Sequence, residues 1–589
     1  MPLSDIIKRL IRTRADSPKV YKSAAEGALT TLRVAVVLSC LLLPTYGVMN
    51  VSFAQENSEG AAIQGPHDGF LGAPVEMNTD LSEVPIEVPL RRREPIEVPL
   101  RRAPEKAPVA PGREQTPVAP KWMDLFRVKL PEFSMPNPNF DGIMSGDPGA
   151  FFVPPDTNGD VGRNHYVQTV NSSIAVFDKQ GIILAGPMPI NTLFAPLGGS
   201  CATGSVIDPV VNYDPLADRW VVLGFPFGSP ICIAVSKTSD PVAGGWFLYD
   251  LDVTAFGFPD YPKLGVWSDA YYLTTQRGFH GGGLDVFALD RANMLNGKLA
   301  TFVHFFVVPS SGFLLPADLD GRPPRIGAPA PFVGHVDGDL WGGVDRLEMF
   351  EFSVNFRDPA SSTFNFVVDL PTEPFSAVLC GDIFFGICAE QPNIGDRLET
   401  LPAWLMWRLQ YRNFGAYETL VTNHTIAVDN LGEHAGIRWY ELRRVHGKQW
   451  AVFQQGTFAP QEPDATSFLH RFMGSIAMDK FGNMALGFTA SSSTVFPSAR
   501  YVGRKRADPL GQMPRGGPPD GDFTLVDGEG SQAFYRWGDY SSMSIDPVDG
   551  CTFWYTQEYV GAENVWRTGI GAFKLPPCRS LKIAGQRLE

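Results

Sequence analysis

Seven stretches of this chain repeat one pattern: an apolar strand, a tight turn built around Asp, and an aromatic-rich strand that answers it. They are "NHYVQTVNSSIAVFDKQGIILAG", "DPVVNYDPLADRWVVLGF", "YPKLGVWSDAYYLTTQ", "APFVGHVDGDLWGGVDRLEMFEF", "NHTIAVDNLGEHAGIRWYEL", "MGSIAMDKFGNMALGFTAS" and "DYSSMSIDPVDGCTFWYTQEY". Asp beside Gly, Pro or Asn makes such turns because its side chain bonds to the backbone and tolerates positive φ. The flanking strands are apolar on both faces, as in "VVNYD" and "SIAMD", which suits strands held between neighbouring sheets. Spread between Lys121 and Cys578, the units recur about every 65 residues, room for four strands and their loops. The pattern predicts an all-β chain folded as a β-propeller of seven blades over residues 121–580. A pair of β-sandwich domains is the competing arrangement.

Composition supports many short strands and turns: Gly (59) and Pro (51) are abundant, aromatics reach 12%, and long helical patterns are scarce. Residues 1–54 read differently. Seven Lys/Arg (Lys8, Arg9, Arg12, Arg14, Lys19, Lys22, Arg33) against Asp5, Asp16 and Glu26 precede the apolar run Val34–Met49, and Ser52–Ala54 offers a small-x-small cleavage pattern. That order is an export signal, with an uncleaved signal anchor as the alternative. Taking this segment's +4 from the net −14 leaves −18 on the rest. So acidic a chain argues against nucleic acid and anionic membrane as partners. The expected location is outside the cytoplasm: periplasmic, cell-surface or secreted.

Residues 55–120 are Pro-rich and carry a near-duplicate, "PIEVPLRRR" at Pro85 and "PIEVPLRRA" at Pro95. Closely spaced prolines favour an extended, disordered spacer; a docking peptide for a partner is the sharper alternative. Residues 581–589 form a short tail. Beyond Cys40 the six cysteines fall into three sequence-near pairs, Cys201/Cys232, Cys380/Cys388 and Cys551/Cys578. An even count in an exported chain points to disulfides, and none of the pairs has zinc-type C-x₂-C spacing.

The last unit resembles the Asp-box turn of sialidase-type propellers: Ser544, Asp546, Gly550, Thr552 and Phe553 follow the Ser-x-Asp-x-Gly-x-Thr-Trp order, with two extra residues before the glycine. Asp-boxes are structural turns, so this likeness bears on fold. More widely, "PPDTNGDVGRNHYVQTVN", "DPVVNYDPLADRWVV", "DYPKLGVWSDAYYLTT", "YRNFG" and "RWGDYSSMSIDPVDGCTFWYTQEY" resemble a family of exported bacterial proteins with a β-propeller-like repeat domain. The resemblance implies export and repeats, and no activity.

Aligning the units on their turn residues Asp214, Asp269, Asp479 and Asp546 brings polar residues together at the opposite, funnel end of the inner strands. Asp208, Asp260, Asp539, Arg536 and Tyr540 form the candidate catalytic set, because paired carboxylates with Arg and Tyr suit glycoside hydrolysis or elimination. Lys263, Tyr261, His424, Arg471 and Ser475 are candidate ligand-binding residues, with Asn423 beside His424. Asp156, Asn158 and Asp160 in "DTNGDVG" resemble half of a calcium loop, although Val161 stands where an EF-hand needs Gly; "ADLDG" and "HVDGD" are weaker versions. Calcium is thus the one cofactor the sequence suggests. In the opposing reading these charges pair with one another and lock blade to blade. Three functions stay open: a recognition or scaffold module for a glycan or extracellular protein ligand at the funnel, a sialidase-like hydrolase or lyase, and a structural surface protein.

Overall fold

Seven inner strands set the architecture: Asn158–Val161, Val206–Asp214, Pro259–Val266, Leu315–Asp320, Met406–Asn413, His470–Met478 and Ser542–Ile545. The computed structural model describes residues 62–84, 96–97, 134–277, 282–310, 313–445, 447–460, 468–517, 521–576 and 578. Each inner strand starts an antiparallel run of four, and successive inner strands lie side by side, with the seventh returning to the first. The fold is a seven-bladed β-propeller. Strands such as Val206–Asp214 and Thr552–Val560 are buried throughout, because each blade is covered on both faces by its neighbours. Apolar clusters accordingly lie between blades: Trp220 and Val222 meet Val167 and Ile174 across blades 1 and 2, and Tyr166 and Val170 meet Trp554 and Ile570 across blades 1 and 7.

An inner strand has a neighbour in its own sheet on one edge only, so the backbone groups of its other edge need partners from elsewhere. Polar side chains of the adjacent blade supply them. Asn158 Oδ1 and Asp160 Oδ2 in blade 1 accept from the N–H groups of Val211 (2.9 Å) and Tyr213 (2.8 Å) in blade 2. Asp208 accepts from Tyr261 (3.1 Å), and Asp318 from Val266 (2.9 Å). Gln410 accepts from Met478 (2.6 Å), and Ser475 Oγ from Met543 (2.9 Å). Ser542 donates to the Gly159 carbonyl at 2.7 Å and closes the ring. Between blades 4 and 5 the strands pair directly, Ala317–Asp320 running parallel to Leu409–Arg412.

The outer edges are covered by the N-terminal chain. Ala62–Phe70 pairs with Thr301–Val308 as a fifth strand of blade 3, and Val75–Met77 pairs with Trp246–Leu248 in blade 2. Leu81 then packs into the cluster between blades 1 and 2. Asn139–Met144 supplies the fourth strand of blade 7. The segment therefore passes the blades in the order 3, 2, 1, 7, opposite to that of the chain. Within the spacer expected over 55–120, residues 62–84 depart from an extended, disordered chain, because they gain ladder hydrogen bonds and burial on the blade edges. Ile96–Glu97, in the second copy of the repeated peptide, pairs parallel with Phe152–Val153. The export signal, the first copy of that peptide and the tail at 581–589 lie outside the described residues.

All three cysteine pairs are disulfides, with Cα–Cα separations of 5.9, 5.6 and 6.1 Å for Cys201–Cys232, Cys380–Cys388 and Cys551–Cys578, within the usual range. No helix among the described residues is long and apolar enough to cross a membrane. Removing residues 62–84 bares the edges of blades 2 and 3, and open edges template self-association. The deletion is expected to lower Tm by at least about 5 °C and to give oligomers in analytical ultracentrifugation. An unchanged Tm and a monomeric deletion variant would show that this segment adds nothing.

Candidate functional site

Several inner strands begin with a kink. Asp156, Asp208, Tyr261, Met473 and Asp539 have φ between 47° and 55°, a region that Asp enters with little penalty and that costs larger residues roughly 1–2 kcal/mol. In blades 2, 3 and 6 the kink coincides with a register shift, between Ile207 and Val210, Asp260 and Lys263, and Phe472 and Ser475. A bulge bends its strand and re-aims a side chain, and here the kinked residues lie at one end of the ring.

Lys263 lies at the centre of what they form. Its Nζ sits 3.3 Å from the centroid of the Tyr261 ring and 3.5 Å from that of Tyr540, and it donates to the Pro262 carbonyl at 3.2 Å. The two rings meet edge to face at 5.3 Å. Asp156, Asp208, Asp260 and Asp539 lie within electrostatic range of this ammonium. Arg536 stands on the other side, with Nε 2.8 Å from Glu399 Oε1 and Nη2 2.8 Å from Asp539 Oδ2. Glu399 Oε1 also accepts from the Trp537 N–H at 2.9 Å, and Glu558 Oε2 from the Gly538 N–H at 2.7 Å.

Glu399 does not belong to a blade. It comes from the connection between the fourth strand of blade 4, which ends at Pro371, and the inner strand of blade 5, which starts at Met406. This connection carries the Cys380–Cys388 disulfide and lays Leu398, Leu401 and Trp404 against Phe313, Met406, Phe472, Met473 and Trp537. It forms a cap. Its apolar side rests on the blades whose funnel ends are apolar, and Glu399 reaches the polar side. Beneath it the side chains are buried: Asp156 and Lys263 are 1% exposed, Glu399 and Glu558 0%. The space left beside Lys263 is a cavity of ≈ 10 Å³, about one water.

Six carboxylates (Asp156, Asp208, Asp260, Glu399, Asp539, Glu558) thus share two cations. Asp156 Oδ1, Glu399 Oε2, Asp539 Oδ1 and Glu558 Oε1 have no hydrogen-bond partner among the described residues. Burial, with Asp539 and then Asp208 adding repulsion, raises the Asp156 carboxyl well above its ordinary range. Burial pushes Glu399 up to about 8 against the pull of Arg536, and raises Glu558 strongly as well. Burial also brings Lys263 down to about 7, against the pull of Asp208 and Asp156. The excess of acid is relieved by bound protons.

Further along the inner strands lies a second buried network. Arg408 Nε lies 2.7 Å from Asp318 Oδ2, and its Nη2 lies 3.2 Å from Asp320 Oδ1. Burial pushes Asp318 up to about 6 and Asp160 up to about 7.

Neither a protein-family model nor a curated protein matches this sequence. Among solved structures, the WD40 domain of SCAP from fission yeast is 10% identical, with a TM-score of 0.32, and the match covers 74% of this chain and 98% of that one. An ulvan lyase of polysaccharide lyase family PL25 is 13% identical, with a TM-score of 0.32, covering 74% and 97%. Trypanosoma rangeli sialidase is 9% identical, with a TM-score of 0.27, covering 63% and 55%. Likeness at this level carries no argument, and the blade assignment rests on the sheets themselves.

The sequence-expected residues divide into two groups. Asp208, Asp260, Tyr261, Lys263, Arg536, Asp539 and Tyr540 do come together, joined by Asp156 from the expected calcium half-loop. The other expected positions do not. His424 belongs to the second strand of blade 5, where Nε2 lies 3.0 Å from the Tyr440 hydroxyl and the ring lies beside His335; Asn423 precedes it on the same strand. Arg471 turns away from the centre to Asp522, 3.1 Å distant. Ser475, Asn158 and Asp160 are occupied by neighbouring backbone N–H groups, so "DTNGDVG" does not gather its side chains around one point. Asp318 and Asp320 of "ADLDG" bind Arg408, and Asp337 of "HVDGD" accepts from Asp339 and Ala377. The one cluster of three metal-type donors among the described residues, Asp549, Cys551 and Cys578, has both sulfurs in a disulfide. The turn residues behave as expected: Asp214 accepts from Leu216 and Ala217, and Asp479 from Phe481 and Asn483.

Replacing Arg536 by Met leaves Asp539 without its counter-charge and Glu399 Oε1 without its side-chain donor, a change expected to cost about 3–5 kcal/mol in urea unfolding. A loss below about 1 kcal/mol would mean the clamp is not structural. Glu399→Gln mimics the protonated acid and keeps the oxygen that accepts from Arg536 and Trp537. The folded state holds the Glu399 proton up to about pH 8, the unfolded chain only to about 4.3. The stability that proton gives is therefore whole at low pH and lost as pH rises through 8. Glu399→Gln is expected to gain on the parent steadily from pH 5 to 8; a difference flat with pH would mean the carboxyl is ionised throughout.

Proposed function

We propose that this chain is an exported recognition or scaffold module, a sealed propeller that works through its outer surface. One observation carries the reading: Arg536 clamps a cap residue, Glu399, to Asp539 of the last blade, and the cavity beside the buried Lys263 has room for about one water. A glycosidase or lyase needs its acid and base in contact with a saccharide, and here every carboxylate that sequence reasoning offered for that role is paired or partly to fully buried. The expected ligand seat at the funnel is for the same reason not open. Three disulfides support an oxidising compartment, and with the acidic surface they support a glycan or an extracellular protein as the partner.

The second reading is an enzyme whose cap lifts. It has its own support in Lys263, brought down to about 7 by burial and held over the Tyr261 and Tyr540 rings, an amine able to move a proton near neutral pH. Asp539→Asn separates the two. On the recognition reading the parent shows no turnover on a panel of neutral and acidic polysaccharides, and the variant loses stability because half of the Arg536 clamp is weakened. Turnover by the parent that Asp539→Asn abolishes, with the fold intact by circular dichroism, would sink the recognition reading.

A further inference from the structure

On the rim of blade 5, at the end of the propeller away from the cap, lies an open groove of ≈ 580 Å³ between the start of the second strand and the turn that joins the third and fourth. At its centre is Arg443, whose guanidinium carbon lies 3.3 Å from the centroid of the Phe453 ring and 4.5 Å from that of Tyr417. The placing of Phe453 comes from the backbone. Glu441 pairs with Gln454 and Leu442 with Val452, so Phe453 is the extra residue of a bulge, and bulges re-aim side chains in this way. Nε of Arg443 is fixed on Glu441 at 2.5 Å, which leaves both Nη atoms without a partner among the described residues. A guanidinium held between two rings and anchored through Nε presents its remaining fork ready-made, and such a fork matches the two oxygens of a carboxylate or sulfate.

The surroundings favour an anion as well. Lys448 lines the groove, Arg506 lies 6.0 Å from the Tyr417 ring centroid, and Glu441, the acid beside them, is spent on Arg443 and Gln454. This is a basic patch on a chain of net charge −14. Val445, Ala451 and Val452 give the groove an apolar floor, and its volume falls in the range of small-ligand sites. A peptide would most simply add to the free edge of Ala451–Phe458, but the bulge breaks the ladder there, a device that discourages strand addition. We infer that this groove binds an acidic glycan, with Arg443 gripping a uronate or sulfate group and Lys448 and Arg506 steering it in. The inference gives the recognition reading a place and a ligand class, and it rests on that reading.

The full chain is titrated calorimetrically at low salt with oligogalacturonate, a sulfated oligosaccharide, a neutral oligosaccharide of equal length and poly-glutamate. Parent protein is expected to bind one or both acidic glycans, to ignore the neutral one, and to lose affinity with salt. Arg443→Lys keeps the charge and loses the fork, and a fall of at least 10-fold is expected. Lys448→Ala is expected to cost 2–3-fold, with Tm unchanged in both variants. The two acidic glycans tell carboxylate from sulfate. Equal affinity of Arg443→Lys and parent for a glycan would remove this groove while leaving recognition intact. Equal binding of the neutral glycan, binding of poly-glutamate alone, or no binding at all would overturn the assignment itself.

Discussion

The whole assembly depends on how the innermost strands satisfy the edge that has no neighbour in its own sheet. Packing blades around an axis makes this problem seven times over, in a place with little room for water. Asn158, Asp160, Asp208, Asp318, Gln410 and Ser475 each hand an acceptor to the backbone of the next blade. They are polar for that reason, and blade packing and ring closure are set together. A buried unpaired N–H costs as much as a lost hydrogen bond or more, so these positions tolerate little beyond another acceptor of similar reach.

Much of this was legible in the chain. The Asp turns announced the hairpins, and the hairpins gave the number of blades, because each blade holds one conspicuous pair of strands. The pair is not the same in every blade. In "DPVVNYDPLADRWVVLGF" it is the first and second strands; in "NHTIAVDNLGEHAGIRWYEL" it is the second and third. Counting survives that slip and positional alignment does not, which is why Asp208, Tyr261 and Asp539 fell at the funnel while His424 lay one strand out. Arg471 was misplaced for a different cause: the bulge at Phe472–Ser475 reverses which way a residue faces, and period-two reasoning cannot see a bulge.

The cap and its acid were not legible. Glu399 lies in "GDRLETLPAW", which has no period and no motif; the one hint was a pair of cysteines eight apart in the longest gap between units. Glu558 sits inside an aromatic strand and reads as an ordinary outward-facing residue. What makes both significant is convergence with Asp156 and Asp539 from opposite ends of the sequence, and no local pattern reports that. The number of acids exceeds the number of cations at the hub, so its charge is settled by proton uptake as much as by pairing.

The N-terminal segment that passes blades 3, 2 and 1 before closing blade 7 also orders events during synthesis. Ala62–Phe70 leaves the ribosome long before Thr301–Val308 exists to receive it. For that interval it is an unpartnered strand, and pairings so distant in sequence form slowly. Blades must be laid down in one direction, after which the early chain can be drawn back across them in the other. The last edge to be sealed is thus made of residues translated well before the strand they pair with, and a nascent chain stalled before blade 3 carries its own loose end, open to any partner that offers a strand.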